Sequence, residues 1–353
     1  MRVLVINCGS SSIKYKLFLM PGKKYASKGL IEHIGERGSS VQDHYSGLKT
    51  ILGKISSVDV IGHRVVHGAE QFKEPVLIDN SVIADIRRCC AIAPLHNPAN
   101  LAGILACKRL LPGIRQVAVF DTAFHQTLPE YAYIYGLPYR YYKTFGIRKY
   151  GFHGTSHEYV AHEAARIMDK PANKLKIITC HLGNGCSITA VNKGKSVDTS
   201  MGFTPLEGLV MGTRCGDIDP ALITYIMRKG KLDVLGMDQM LNKASGLKGI
   251  SGISNDMRIL CEKAKTGNTR ARLAISIFIY RIKKYIGAYM AVMGGCDAVV
   301  FTAGIGENER FIRDKICSGI FDPLKRKPRV LVIPTDEELM IACQAYRLMK
   351  ERS

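Results

Sequence analysis

The sequence predicts an α/β protein made of two similar domains. Short β-branched runs alternate with amphipathic stretches along the chain, which is typical of layered strands and helices. The 353 residues are too many for one ordinary core and fit two packed domains. One hairpin plan also occurs twice, as a strand, a Gly-rich tip and a return strand, at residues 6–13 and 179–188. This repeat favours a duplicated domain over a coincidence between two Gly-rich hairpins.

The predicted elements follow from apolar runs and their end signals. Arg2–Cys8 is a β-branched run that stops at Gly9, and residues 13–20 resume it, so the pair predicts a hairpin. Further strands are predicted at 58–61, 116–120, 175–180, 186–191 and 298–302. Helices are predicted at 100–111, preceded by the start signals Asn97 and Pro98, at 270–293 and at 336–350.

The composition excludes several protein classes. The chain is 46% apolar and 23% charged, which argues against disordered, collagen-like and low-complexity proteins. The most apolar long stretch, 276–293, carries Arg281, Lys283 and Lys284, so no membrane span is expected. The N-terminus lacks the zones of a signal peptide. The sequence therefore predicts a soluble, cytoplasmic protein without a membrane partner.

Cysteine spacing and net charge indicate the kind of ligand. The 11 cysteines are scattered without a C-x-x-C pair, which is typical of reduced thiols rather than of a zinc or disulfide framework. The net charge of +20 attracts anions. The basic residues are spread along the chain, and the one dense run, 325–329, is interpreted as a solvated loop rather than a nucleic-acid patch. Phosphorylated metabolites and carboxylates are therefore the expected partners, and nucleic acid is not.

Two Gly-rich segments are candidate phosphate sites. The first hairpin tip contains Gly9, Ser10, Ser12 and then Lys14, which offer close backbone approach, hydroxyl donors and a point charge. An ordinary β-turn has the same composition. Residues 304–308 follow a strand and precede a helical region, but Glu309 stands where a dinucleotide fingerprint needs its third Gly. This segment favours a nucleotide contact at a helix start over a Rossmann site.

Histidines occur twice with H-x-x-x-H spacing, at His63/His67 and at His153/His157. On a helix this spacing would place both rings on one face, as in a metal site. Gly and β-branched neighbours make both segments poor helices, so zinc is not expected. The alternative is that one His in each segment donates to an anion.

Three charged residues stand in positions that suit anion chemistry. Arg64 follows an apolar strand beside valines, so it can bind a carboxylate while the valines wall off an apolar tail. Asp121 ends a strand, where a site carboxylate and a helix N-cap are about equally expected. Arg214 lies in a Gly-flanked loop and is either a charge-neutralising finger or a surface arginine.

Taken together, the motifs resemble the acetate kinase family of acyl kinases. The matching motifs run in order from residue 7 to the last helix: 7–14, 62–68, 93–98, 120–125, 150–157, 181–185, 211–217, 303–308 and 334–338. No single motif is decisive, but the ordered set is specific.

The resemblance implies a fold and a reaction. The fold is α/β, with two duplicated actin-like (ribonuclease H-like) domains and an interdomain ATP cleft. The domains are 1–123 plus 339–353, to which the final helix returns, and 124–338. The reaction is reversible transfer of the γ-phosphoryl group of ATP to acetate, which gives acetyl phosphate and ADP. Mg²⁺ is the implied metal, with Mn²⁺ as the alternative, and the chain is expected to form a homodimer.

The resemblance also implies residue roles. The catalytic residues are Arg64, His96, Asp121, His153 and Arg214. Arg64 holds the acetate carboxylate, and the methyl pocket is lined by Val66, Leu95, Phe152 and Pro205. Val66 is placed two residues from Arg64 on one strand face. Asn7 and Glu337 position the metal. ATP is contacted by Ser10, Ser12, Lys14, His181, Leu182, Gly183, Asn184, Gly185, Asp256, Met257, Arg258, Gly304, Ile305, Gly306, Glu307 and Asn308.

Two alternatives remain open. A propionate kinase or a broader short-chain acyl kinase would share these motifs. A non-kinase actin-like ATPase or a nucleotide-binding scaffold would share the fold, but it needs no carboxylate pocket around Arg64 and Val66. The chain is also shorter than typical family members, before Arg64 and before Pro334, which bears on dimer geometry more than on chemistry.

Overall fold

A computed structural model describes residues 1–55 and 57–352 of the chain. These residues group into two compact units. The first unit contains Met1–Gln126, Gly154–Tyr159 and the chain from Asp336 onward, and the second contains Thr127–His153 and Val160–Thr335. The domain boundaries after residues 123 and 338 stay a prediction, because compactness alone does not define a duplicated domain.

Strands and helices alternate through most of the described chain. The strands are β1 (Arg2–Cys8), β2 (Ile13–Leu19), β3 (Lys24–Ile31), β4 (Val60–Val65), β5 (Val76–Leu77), β6 (Arg115–Phe120), β7 (Lys176–Leu182), β8 (Cys186–Asn192), β9 (Lys195–Thr199), β10 (Ala298–Thr302) and β11 (Arg329–Val332). The helices are α1 (His44–Leu52), α2 (Asn80–Cys89), α3 (Asn97–Leu110), α4 (Glu130–Tyr133), α5 (Arg140–Phe145), α6 (Gly154–Ile167), α7 (Ala221–Gly230), α8 (Val234–Lys243), α9 (Gly246–Ser251), α10 (Met257–Lys265), α11 (Thr269–Met293), α12 (Ala303–Asn308), α13 (Arg310–Cys317) and α14 (Glu337–Glu351).

The two sheets repeat one topology. The first has the strand order β3-β2-β1-β4-β6-β5, and the second has β11-β10-β7-β8-β9. In each sheet an antiparallel meander, β1-β2-β3 or β7-β8-β9, is extended by two parallel strands, β4 and β6 or β10 and β11. The predicted hairpins are therefore confirmed as the starts of two equivalent sheets, and β5 is an addition to the first.

Strand β1 shows how the first unit builds its core. Its side chains alternate between the two faces of the sheet, as in any strand. Leu4 and Ile6 pack with residues of α1 and α3 on one face. Val3 and Val5 pack with residues of α14 on the other face. Helix α14 thereby lies against β1 and β4, and its first residues come to the end of the sheet where β1 and β4 end.

Several predicted element bounds needed correction. The strand predicted at 58–61 lies at Val60–Val65, so Arg64 lies within the strand rather than after it. The segment 304–308, predicted to precede a helical region, is itself part of a short helix, α12, and α13 follows it. The segment around His153 and His157 was expected to be a poor helix, yet α6 begins at Gly154 with His153 as its N-cap. Among the helices of residues 1–55 and 57–352, none is long and apolar enough to cross a membrane.

Candidate active site

The end of β4 carries an arginine fixed by a buried carboxylate. Asp121 directly follows β6, the parallel neighbour of β4. Nε of Arg64 lies 3.1 Å from both carboxylate oxygens of Asp121, and Nη2 lies 2.6 Å from Oδ2. The Asp121 side chain is 1% exposed. Burial lowers the pKa of Arg64, but the charges of Asp121 and Glu337 raise it more, so the guanidinium stays charged. The pair uses the Nε and Nη2 edge and leaves Nη1 for another anion.

The first turn of α14 adds two carboxylates to this end of the sheet. Glu338 forms ion pairs with Nζ of Lys14 at 2.7 Å and Nζ of Lys16 at 3.1 Å. Burial raises the pKa of Glu338, but the two lysines lower it by more, so this pKa lies below its usual value. Glu337 lies 3.7 Å from Nε of Arg64. Burial, together with Asp121 and Glu338, holds the pKa of Glu337 above its usual value despite Arg64. Of these two glutamates, Glu337 is therefore the one whose negative charge is not fully compensated by nearby cations.

The β1–β2 hairpin tip is closed by its own backbone. The Gly9 N–H donates to the Ser12 carbonyl at 2.8 Å. Asn7 and Lys14 face each other across the hairpin register. His44, the first residue of α1, donates from Nε2 to the Gly9 carbonyl at 2.7 Å. His44 could not be singled out from the sequence, because its partner lies on a loop 35 residues away. Of the predicted phosphate contacts, Lys14 is held by Glu338, and Ser10 and Ser12 lie on the tip.

Two buried asparagines of α3 fix the backbone that follows Arg64. The Asn100 side chain accepts from the Val66 N–H at 3.0 Å and donates to the Cys8 carbonyl at 2.8 Å. The Asn97 side chain likewise accepts from the His67 N–H and donates to its carbonyl. The sequence marked Asn97 only as a helix start and did not mark Asn100. The spacing of Asn97 and Asn100, three positions apart and therefore on one face of a helix, was the sequence signal that could have indicated this shared role.

The predicted acetate-pocket residues of the first unit occupy different environments. Strand β4 ends at Val65, so Val66 directly follows the strand, and its predicted place on one face with Arg64 stays a prediction. Val66 is buried, whereas Leu95 is 48% exposed. His96 is the N-cap residue of α3. The other two predicted pocket residues, Phe152 and Pro205, belong to the second unit, where Phe152 is buried.

In the second unit, two histidines and an arginine meet at the β7–β8 hairpin. The rings of His153 and His181 stack with centroids 4.1 Å apart. Nδ1 of His153 lies 2.8 Å from the Ser187 hydroxyl. A Cβ added at Gly185 would lie 3.5 Å from both Nη1 of Arg214 and Cε1 of His153. The hairpin tip therefore brings the predicted residues His153 and Arg214 to one place.

Arg214 is a half-buried cation without a carboxylate partner among the described residues. Nη1 donates to the Pro205 carbonyl at 3.3 Å and lies 3.8 Å from the Met211 sulfur. Burial lowers the pKa of its guanidinium, and the nearby Cys186 offsets this only in part. A buried charge that is not neutralised by the protein is costly. Such a residue is suited to an anionic ligand.

A cavity of about 670 Å³ beside this hairpin brings three predicted ATP segments together. Its lining comprises Gly183, Asn184, Asn255, Asp256, Met257, Arg258, Gly304, Ile305, Asn308 and Glu309. The volume is in the range of a small-molecule site. Asn184 organises one wall, since its side chain accepts from Asn255 Nδ2 at 2.9 Å and its carbonyl accepts from the Gly212 N–H at 2.9 Å. Sequence reasoning missed Asn255 and Glu309, which flank predicted segments.

Other predicted ATP residues have structural partners or are buried. The Glu307 carboxylate accepts from the Ala303 N–H at 2.8 Å and so holds the start of its own helix, α12. Leu182 and Gly306 are buried. The cavity lining does not include these three residues. They shape the elements that carry Gly183, Gly304 and Ile305.

Within residues 1–55 and 57–352, no group of three or more His, Cys, Asp or Glu side chains is placed to hold a metal. His63 is buried and its Nε2 lies 2.7 Å from the Gln116 side chain. Burial lowers the pKa of His63 to about 4. His63 is therefore a neutral residue of the core, not a donor to an anion.

Comparison with known proteins identifies the family. A sequence model of the acetokinase family matches residues 2–322. An acetate kinase of Halothermothrix orenii is 51% identical over 397 aligned positions, which cover 99% of this chain and 100% of that protein. The crystal structure of an acetate kinase of Porphyromonas gingivalis is 43% identical, with a TM-score of 0.92 and 99% of both chains covered. A propionate kinase of Francisella tularensis is 44% identical, with a TM-score of 0.92, and covers 98% of this chain and 99% of its own.

A more distant likeness bears on the fold alone. A ROK hexokinase from Thermus thermophilus is 13% identical, with a TM-score of 0.50 over 99% of this chain and 100% of its own. With the repeated sheet topology, this likeness to a sugar kinase confirms the predicted α/β fold of duplicated, actin-like sheets.

The relatives confirm the predicted enzyme class, a phosphotransferase with a carboxyl group as acceptor. The chain belongs to the acetokinase family.

Proposed function

We propose that this protein transfers the γ-phosphoryl group of ATP to acetate, reversibly, to give acetyl phosphate and ADP. The observation that carries this proposal is the Arg64–Asp121 pair, with Val66 directly after the strand. A short-chain acid needs a fixed cation for its carboxylate and an apolar wall for its tail. Arg64 offers Nη1 in an orientation set by Asp121, and Val66 offers the wall.

The reaction requires electrostatic stabilisation of the transferring group rather than a general base. A carboxylate is already a nucleophile at neutral pH. One acetate oxygen forms a bond to the γ-phosphorus while the bond to the β–γ bridging oxygen breaks, and ADP leaves with that electron pair. No proton has to move, and the enzyme must bring two anions together and neutralise the charge on the transferring group. Asp121 is accordingly assigned to orienting Arg64, because its carboxylate is already engaged by that guanidinium.

The second unit supplies the groups for ATP in this proposal. The nucleotide is taken by the cavity that is lined by residues 183–184, 255–258, 304–305 and 308–309. Arg214 and His153 stand at the β7–β8 tip, as positive or hydrogen-bonding groups for the phosphoryl oxygens. An arginine that lacks a carboxylate partner in the described chain suits charge that develops during transfer.

Magnesium is the proposed metal partner of ATP, with Mn²⁺ as the alternative. The Glu337 carboxylate and the Asn7 amide oxygen are hard oxygen ligands of the kind that Mg²⁺ prefers, and such sites use few protein ligands plus substrate phosphates. The raised pKa of Glu337 reflects burial beside other carboxylates, which a cation would relieve. These residues therefore fit a divalent cation, which when bound neutralises phosphate charge.

The direct test is a hydroxamate assay for acyl phosphate with ATP, Mg²⁺ and acids of two to four carbons. We expect acyl phosphate with acetate and none when the acid is left out. ATP hydrolysis without acyl phosphate from any acid would instead support the non-kinase ATPase.

Propionate is the second candidate acceptor, because the propionate kinase of Francisella tularensis is about as similar to this chain as the acetate kinase of Porphyromonas gingivalis is. Val66 should leave room for a methyl group and little more, and forcing in one methylene costs about 1–3 kcal/mol. We expect kcat/KM for acetate to exceed that for propionate about 10-fold. Val66→Ala should narrow or reverse this ratio, chiefly by lowering KM for propionate.

Val65→Ala is the matched control for Val66→Ala. Val65 packs in the core with Ile86 and Phe120, so its loss should lower stability without changing the acid preference. A wild-type preference for propionate, or an unchanged ratio in Val66→Ala, would make propionate the substrate and remove Val66 from the pocket.

Glu337→Gln tests the metal assignment. We expect the Mg²⁺ concentration for half-maximal activity to rise about 10-fold or more, because a charged ligand is lost. The pKa of Glu337 in the folded protein lies above the ordinary glutamate value of 4.5, so wild-type stability should fall as pH rises from about 4.5 through the folded-state pKa. The glutamine variant should lack this loss and melt higher at pH 8 without Mg²⁺. An unchanged Mg²⁺ requirement would leave Glu337 as an acid of the helix start only.

We further infer that the chain works in the cytoplasm, as a homodimer. All 11 cysteines are free thiols, including several partly exposed ones, which suits a reducing compartment that also supplies ATP. The homodimer rests on the family resemblance, and sedimentation of the purified protein tests it.

A further inference from the structure

The carboxylate of Asp121 is held by more than Arg64. The Thr155 hydroxyl donates to Oδ1 of Asp121 at 2.7 Å, while Nη2 of Arg64 donates to Oδ2 at 2.6 Å. The backbone of Asp121 is fixed as well. Its N–H donates to the Val65 carbonyl at 2.9 Å, and its carbonyl accepts from the Gly154 N–H at 3.0 Å. Main chain and carboxylate are therefore set by separate contacts.

The start of α6 brings Thr155 to this position. His153 adopts a left-handed conformation, with φ of 56°, and turns the chain into the helix. Gly154 then lies so close to Asp121 that an added Cβ would stand 2.1 Å from the Asp121 carbonyl oxygen. This approach is open only to glycine, and it places the next residue, Thr155, beside the carboxylate. Thr155 is 3% exposed, so water does not compete for the bond.

We propose that Thr155 is a positioning residue for the acceptor arginine, acting through Asp121. The hydroxyl bond at Oδ1 fixes the plane of the carboxylate, and that plane sets the Nε and Nη2 edge of Arg64. Nη1 then points in one direction, toward the acceptor carboxylate. Glu337 is a competing partner at 3.7 Å from Nε, so a loosened Asp121 allows Arg64 to shift toward Glu337. This inference rests on the proposed function, because it concerns the acceptor acid of that reaction.

The test compares Thr155→Val, Thr155→Ser and wild type with acetate and with ATP varied separately. Valine keeps the shape and removes the donor, whereas serine keeps the donor. We expect Thr155→Val to raise KM for acetate and to lower kcat/KM for acetate about 30-fold or more. KM for ATP should stay within about 2-fold, and Thr155→Ser should stay within about 3-fold of wild type in every constant. Thr155→Ala replaces the valine variant if that one does not fold.

Thr189→Val is the matched control. Thr189 is fully buried in β8, and its hydroxyl lies 2.9 Å from the Thr199 hydroxyl, so it too is a buried, hydrogen-bonded threonine. The Thr189→Val variant should be less stable than wild type and should keep wild-type values of kcat and of both Michaelis constants.

Three outcomes would overturn the inference. Wild-type KM for acetate in Thr155→Val would do so, and so would equal rises in both Michaelis constants or a serine variant as impaired as the valine variant. These leave the proposed function intact, because wild type still forms acetyl phosphate. Failure of wild type to form any acyl phosphate would overturn both.

Discussion

Arg214→Ala is expected to lower kcat about 1000-fold or more while ATP affinity stays nearly unchanged. The described chain offers Arg214 no carboxylate, and burial lowers the pKa of its guanidinium. The protein thus keeps a cation whose charge is best neutralised during transfer, when charge builds up on the phosphoryl oxygens. Losing one such group costs roughly 3–4 kcal/mol of transition-state stabilisation.

Steady-state kinetics and equilibrium binding of ATP separate the two roles of Arg214. Arg214→Lys serves as a control, because it keeps the charge but not the planar fork, and it should recover only part of the rate. A large loss of ATP affinity with normal turnover would make Arg214 a ground-state binding residue.

Arg64→Ala is expected to lower kcat/KM for acetate at least about 100-fold and to destabilise the fold. It removes the cation proposed for the acceptor and also leaves Asp121, which is 1% exposed, without its ion pair. Removing one partner of a buried pair costs about 3–5 kcal/mol. Chemical denaturation and acetate-dependent kinetics measure the two effects.

A double substitution separates the effect of Arg64→Ala on stability from its effect on activity. Arg64→Ala with Asp121→Ala should recover much of the stability, because no unpaired charge is left, but it should recover no activity. Recovery of acetate turnover in the double variant would show that Arg64 serves only to neutralise Asp121.

The sequence predicted the two hairpins because local signals define them. β-branched runs stop at Gly-rich tips, and the pairing partner is the next run along the chain. The strand β4 was placed too early because Gly62 and His63 are weak strand formers. Its length depends on pairing with β1 and β6, which a single segment does not reveal.

The start of α6 could not be predicted from propensity. His153 and Gly154 are poor helix residues, yet the left-handed His153 and the close approach of Gly154 to Asp121 begin a helix there. Tertiary contact overrides local preference in this case. The same limit applies to Thr155, Asn100 and His44, because each acts through a partner on a distant element.

Charge pairing was the least predictable part of the candidate site. Arg64 and Asp121 were both singled out, but their direct pairing follows only from β4 and β6 being parallel neighbours. Lys14 was assigned to phosphate, and the structure pairs it with Glu338, a residue to which the sequence assigned no role. Sequence position does not show which of several nearby charges neutralise each other.

The central claim is that the acid's own oxygen attacks the γ-phosphorus of ATP. The measurement is ³¹P NMR of the product formed from ATP, Mg²⁺ and acetate labelled with ¹⁸O in both carboxylate oxygens. We expect the phosphorus of acetyl phosphate to show the isotope shift of one ¹⁸O, beside unlabelled ADP. Labelled AMP, or inorganic phosphate as the only new product, would contradict the claim.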